Sequence, residues 1–102
     1  MSVLHIVNKS PFDRNSLDSC LRLAKADSPI LLIEDGIYAV QKNTAAAERM
    51  QQALSTHSVY ALRSDLQARG INPDNIIDGI SLVDYDGFVE LTTEHDKLQS
   101  WL

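Results

Sequence analysis

The sequence predicts an α/β fold, a mostly parallel sheet of four or five strands with helices on both faces. Three observations predict it. Short apolar runs recur at Val3 to Val7, Ile30 to Ile33, Ser58 to Leu62 and Ile80 to Val83, without the strict alternation of a strand that has one wet face. Between them lie stretches with helical spacing, and Pro, Gly, Asn and Asp punctuate the junctions. Alternation of this kind builds βαβ units with right-handed crossovers, and hence a parallel sheet covered on both sides.

In chain order, Val3, Leu4, Ile6 and Val7 form the first strand, and Asn8-Lys9-Ser10-Pro11 stops it with turn formers and a proline that has no N–H to donate. A helix is predicted to start at Asn15 or Ser16. Leu17, Cys20, Leu21 and Ala24 follow at i, i+3, i+4 and i+7, so they share one face and turn Cys20 inward, buried or half-buried. Asp27-Ser28-Pro29 breaks that spacing before the second strand, and Glu34-Asp35-Gly36 ends the strand. Ile37 to Val40 reads as a short helical turn or bend. Thr44 is the expected cap of an alanine-rich helix running to Leu54, with Ala46, Met50 and Leu54 inward. After the third strand, Ser64 is the expected cap of a short helix through Arg69, with Gly70 as its left-handed stop. Asn72-Pro73-Asp74-Asn75 predicts a turn or short helix. Beyond the fourth strand, Asp84 or Asp86 caps a helix over Tyr85 to His95 despite the low helix propensity of Gly87, and Lys97 to Leu102 is a final strand.

A chain of 102 residues, 44% hydrophobic and 23% charged, holds one modest core and is read as a single domain over residues 1–102. The formal net charge of −5, with no run of Lys or Arg, argues against direct contact with nucleic acid. Such affinity comes mainly from neutralising phosphates. No apolar stretch approaches the ~20 residues that span a bilayer, and no basic segment followed by a long apolar one opens the chain. A cytoplasmic location without membrane contact is expected. The one cysteine, Cys20, cannot form an internal disulfide, in keeping with a reducing compartment.

In open parallel sheets, ligands sit beyond the carboxyl ends of the strands, beside the point where strand order reverses. The loops there are Asn8 to Ser10, Glu34 to Gly36, Arg63 to Asp65 and Asp84 to Gly87. None has the glycine-rich spacing that wraps backbone amides round a phosphate, and three carry carboxylates that would repel one. No nucleotide or other cofactor is expected. Glu34, Asp35, Asp84 and Asp86 offer hard oxygen ligands to a cation such as magnesium, or else act as turn and cap residues, the preferred reading. His5, His57 and His95 have no ligand spacing with one another or with Cys20, so no metal site is expected. His5 interrupts an apolar strand and reads as a hydrogen-bonded core histidine. Cys20 is the only strong nucleophile. Its place one turn inside a helix is compatible with thiolate stabilisation by the helix amino terminus and by Arg14 or Arg22, while its apolar face favours inert packing. Ile37, Tyr38, Val40, Trp101 and Leu102 are candidate interface residues, large apolar groups that follow a turn or end the chain.

Several of these stretches, in their order and spacing, resemble the DsrH/TusB family of small sulfur-relay subunits, and DsrH-type members most. They are Leu4-His5, Ser10-Pro11-Phe12, Cys20-Leu21-Arg22-Leu23, Leu31 to Ala39, Val59-Tyr60-Ala61-Leu62, Asp65 to Gly70, Val83 to Val89 and Trp101-Leu102. The resemblance covers nearly the whole chain. It implies a flavodoxin-like (DsrEFH-like) α/β domain that joins paralogous DsrE/TusD-type and DsrF/TusC-type subunits in a hetero-hexamer with two copies of each. It implies a sulfurtransferase complex that passes persulfide sulfur between cysteines to a DsrC/TusE-type acceptor, for dissimilatory sulfur oxidation or for 2-thiolation of the tRNA wobble uridine. The principal sulfur-bearing cysteine then belongs to the DsrE/TusD-type partner. This chain is a non-catalytic or auxiliary subunit, with Cys20 at most an auxiliary persulfide thiol. Cys20 matches a cysteine of DsrH-type members that some TusB-type members lack, which leans toward the oxidation branch. The competing class is a stand-alone flavodoxin-like binding protein using its acidic loops for a cation or small ligand.

Overall fold

Apolar runs that can be covered on both faces become the strands of one sheet. A computed structural model describes residues 2–101. Its strands are β1 (Val3–Val7), β2 (Ile30–Leu32), β3 (Val59–Leu62), β4 (Ser81–Val83) and β5 (Lys97–Trp101). The helices are α1 (Ser16–Leu23), α2 (Ala47–Ala53), α3 (Arg63–Ala68) and α4 (Tyr85–Glu94), with 3-10 segments at Glu34–Val40 and Pro73–Asn75. All strand pairs are parallel, in the order β4-β3-β2-β1-β5. The class and the two-sided cover are those expected. The order differs from the 2-1-3-4-5 of flavodoxin itself and moves the reversal point to the junction of β1 and β5.

This order distributes the helices. Steps from β1 through β4 all run one way, so right-handed crossovers put α1, α2 and α3 on one face; the return from β4 to β5 puts α4 on the other. The core divides accordingly. Leu17, Cys20, Met50 and Leu66 pack with Val7, Ile30, Leu32, Val59 and Ala61 on the first face, while Leu91 packs with Leu4 and Leu31 on the second. Burying each such large side chain contributes about 2 kcal/mol.

Local chemistry sets the element ends. Asp84 rather than Asp86 caps α4, its Oδ1 accepting from the Gly87 N–H at 2.8 Å. Gly70 takes a left-handed φ of 68°, and the Ile71 N–H reaches back to the Leu66 carbonyl at 3.0 Å, closing α3 as expected. Two expected caps are corrected. Ser64 lies inside α3, which starts directly from β3 with Leu62 as its N-cap, and Thr44 forms a turn ahead of α2, accepting from the Ala46 N–H at 3.3 Å.

The segment after β2 is the main departure from the expected layout. Glu34 to Val40 is one continuous 3-10 helix, entered through a positive φ of 49° at Glu34. Gly36 lies against β1 so closely that a Cβ there would stand 2.2 Å from the Val7 carbonyl oxygen. That approach folds the segment onto the sheet. Ile37 and Val40 are therefore wholly buried in this chain's own core and offer no surface to a partner. Tyr38 is half-buried, packed against the same core.

Candidate functional site

Cys20, on the inner face of α1, is 0% exposed and packed among Leu17, Val7 and Ile30. Burial pushes its thiol up to about 12, because the apolar surroundings disfavour the thiolate. The inert packing favoured for Cys20 is what the structure shows: Arg14 and Arg22 are exposed, and burial sets the direction of the shift. In this arrangement the sulfur is a small apolar packing group.

At the carboxyl ends of β2 and β3, two of the predicted loops meet. The Glu34 N–H donates to Asp65 Oδ2 at 2.6 Å, and Arg69 Nε donates to Asp35 Oδ1 at 2.9 Å. Arg69 Nη1 also lies 3.8 Å from Asp65 Oδ1. The hydrogen bond to Asp35 holds the guanidinium above its ordinary pKa. Asp35 and Asp65 thus share a cation from their own chain. Asp84 is spent on the α4 cap, Asp86 projects from α4, and no group of three or more His, Cys, Asp or Glu among the described residues is arranged to hold a metal ion.

His5 is buried and accepts at Nδ1 from Trp101 Nε1 at 3.1 Å, as a hydrogen-bonded core histidine should. Burial, and secondly the nearby His57, lower its pKa. The His57 Nδ1 lies 2.8 Å from the Ser28 carbonyl oxygen. The three histidines do not form a ligand set. Trp101 is half-buried over His5, and Leu102 lies outside the described residues.

The exposed apolar groups are ones that sequence reasoning passed over. Tyr85 is 70% exposed, Leu23 63%, Phe12 and Leu98 52%, and Val89 43%. Helical spacing contained part of this signal: Tyr85 and Val89 are four residues apart, on the side of α4 turned away from Leu91. No described helix is long and apolar enough to cross a membrane.

A family model described as "DsrH like protein" matches residues 9–98. Protein TusB of Buchnera aphidicola is 33% identical over 99 residues, covering 97% of this chain and 100% of that one. Protein TusB of Escherichia coli K12 is 34% identical with the same coverage. Among solved structures, the ychN protein of E. coli superposes with a TM-score of 0.83 at 21% identity, covering 98% of both chains. MTH1491 of Methanobacterium thermoautotrophicum gives 0.73 at 17% identity over 96% of both. At those identities the two structures speak for the fold.

Proposed function

The chain belongs to the DsrH family, and from that membership we propose that it is a supporting subunit of a hetero-oligomeric sulfur-relay complex. Its partners in this reading are DsrE/TusD-type and DsrF/TusC-type subunits, with a DsrC/TusE-type protein as acceptor. The relay serves dissimilatory sulfur oxidation or tRNA wobble-uridine 2-thiolation, and the identity of the acceptor separates the two. In each transfer, an attacking thiolate bonds to the outer sulfur of a donor persulfide; the S–S bond breaks and the donor leaves as a thiolate. No net oxidant or reductant is needed.

The observation that carries the supporting role is the burial of Cys20. Transfer needs a thiolate that a second sulfur can reach, and this thiol is 0% exposed and held protonated. The principal carrier is therefore assigned to a partner subunit. The competing cation-binding reading loses support from Arg69, which already occupies Asp35 and Asp65.

The test replaces Cys20 with Ala in the assembled complex and follows labelled sulfur to the acceptor. Delivery should persist, while removing the carrier cysteine of the partner subunit abolishes it. Complete loss in an intact C20A complex would place Cys20 on the sulfur path and overturn the supporting role.

A further inference from the structure

Three helices cover one face of the sheet and α4 alone covers the other. On the α4 side Leu4, Leu31, Leu62 and Leu91 are buried, while Ile6, Ile33, Tyr60, Val83 and Phe88 keep part of their surface. α4 adds to this bare area. Its outer side carries Tyr85 and Val89, and Leu98 of β5, paired beside Leu4, is exposed on the same face. The Tyr85 ring rests edge-on against Phe88 at 6.1 Å, which holds an exposed aromatic in a set position.

Beside the apolar stripe runs a charged one. Asp86, Glu90 and Glu94 are spaced four residues apart, and α4 contains no Lys or Arg. Like charges at this spacing repel along a helix. None of the three enters an ion pair among the described residues. A contact surface for this face must therefore be apolar at its centre and positively charged beside it. A second copy of this chain, bringing its own acidic α4 and a net charge of −5, is the wrong complement.

We propose that α4 and the adjoining bare sheet face form the docking surface for a different protein chain, one that presents an apolar patch rimmed by lysine or arginine. The proposal rests on the relay-subunit reading in taking that chain to be one of the paralogous subunits. Tyr85 is the aromatic anchor, and Asp86, Glu90 and Glu94 set orientation and partner choice.

The experiment co-expresses the full chain with its paralogous subunits and measures assembly by sedimentation. The variants are Tyr85→Ser/Val89→Ser, Glu90→Lys/Glu94→Lys and, on the opposite face, Glu48→Lys. Thermal melting of each purified variant checks folding, and the charge reversal turns the repulsion between positions 86 and 90 into attraction while 90 and 94 stay alike in charge. Both α4 variants should weaken assembly by about tenfold or more, equivalent to ~1.4 kcal/mol, while Glu48→Lys leaves it unchanged. Unchanged assembly in both α4 variants overturns this surface while leaving the relay-subunit reading intact, as does weakening by Glu48→Lys alone. Self-association of the isolated chain that Tyr85→Ser/Val89→Ser abolishes would overturn it in favour of a second copy. Failure of the wild-type chain to join either paralogue refutes the relay-subunit reading and this inference with it.

Discussion

The indole N–H of Trp101 donates to Nδ1 of His5 at 3.1 Å, tying the fifth strand to the first between residues 96 positions apart. β5 is an edge strand with mostly exposed side chains, so this bond and the ladder to β1 are its principal tethers. The bond requires His5 to be unprotonated at Nδ1. Burial and His57 lower the His5 pKa below its ordinary 6.5, so the unfolded chain binds more protons than the folded one as pH falls through that value. The contribution is fully present above pH 6.5 and declines as pH drops toward the folded-state pKa. Melting temperature should fall on acidification through this window, with a red shift of the single tryptophan's emission, and His5→Leu should flatten that dependence. An equal slope in His5→Leu would remove His5 as its source.

Cys20 shows the opposite linkage. Its thiol rises from an ordinary 9.0 to about 12 on folding, so the folded state holds the proton more tightly. Stability from this group is complete below pH 9.0 and is lost as pH climbs toward 12. At mildly alkaline pH, alkylation of the folded chain should be slower than that of the urea-unfolded chain by about a thousandfold or more, because burial both lowers the thiolate fraction and closes access to the reagent. Native labelling within about tenfold of the unfolded rate would show that α1 opens readily, and would return Cys20 to consideration as a relay thiol.

Gly36 should be the least replaceable glycine. A methyl group there meets the Val7 carbonyl oxygen at 2.2 Å, a backbone atom that cannot turn aside, whereas at Gly70 a Cβ meets nothing within 4 Å and only the positive φ of 68° is strained. Gly36→Ala is expected to lower unfolding free energy by about 3 kcal/mol or more, at the upper end of overpacking costs. Gly70→Ala should cost about 1 kcal/mol. Urea unfolding of the two variants checks the ranking, and a Gly36→Ala cost no larger than that of Gly70→Ala would contradict the close approach.

What was legible in the sequence rested on residues near one another in the chain. Strand runs, the inward stripe of α1, the Asp84 cap and the Gly70 stop depend on a few neighbouring residues. The sequence by itself therefore determined the α/β class, nearly every element and the family resemblance.

Tertiary structure decided what depends on distant contacts. A run such as Ile37 to Val40 reads the same whether it is solvated or packed; the approach of Gly36 to Val7 places it in the core. Asp35 looks like a cation ligand until Arg69, 34 positions away, pairs with it and with Asp65. Cys20 has the spacing of an inward residue, but the height of its pKa depends on how completely β1 and β2 close over it. The bare face beside α4 follows from strand order alone, since three crossovers run one way and one returns. Local propensity and periodicity act within a turn or a strand. Burial, charge pairing and proton affinity are set by whichever groups the sheet brings together, and those lie tens of residues apart.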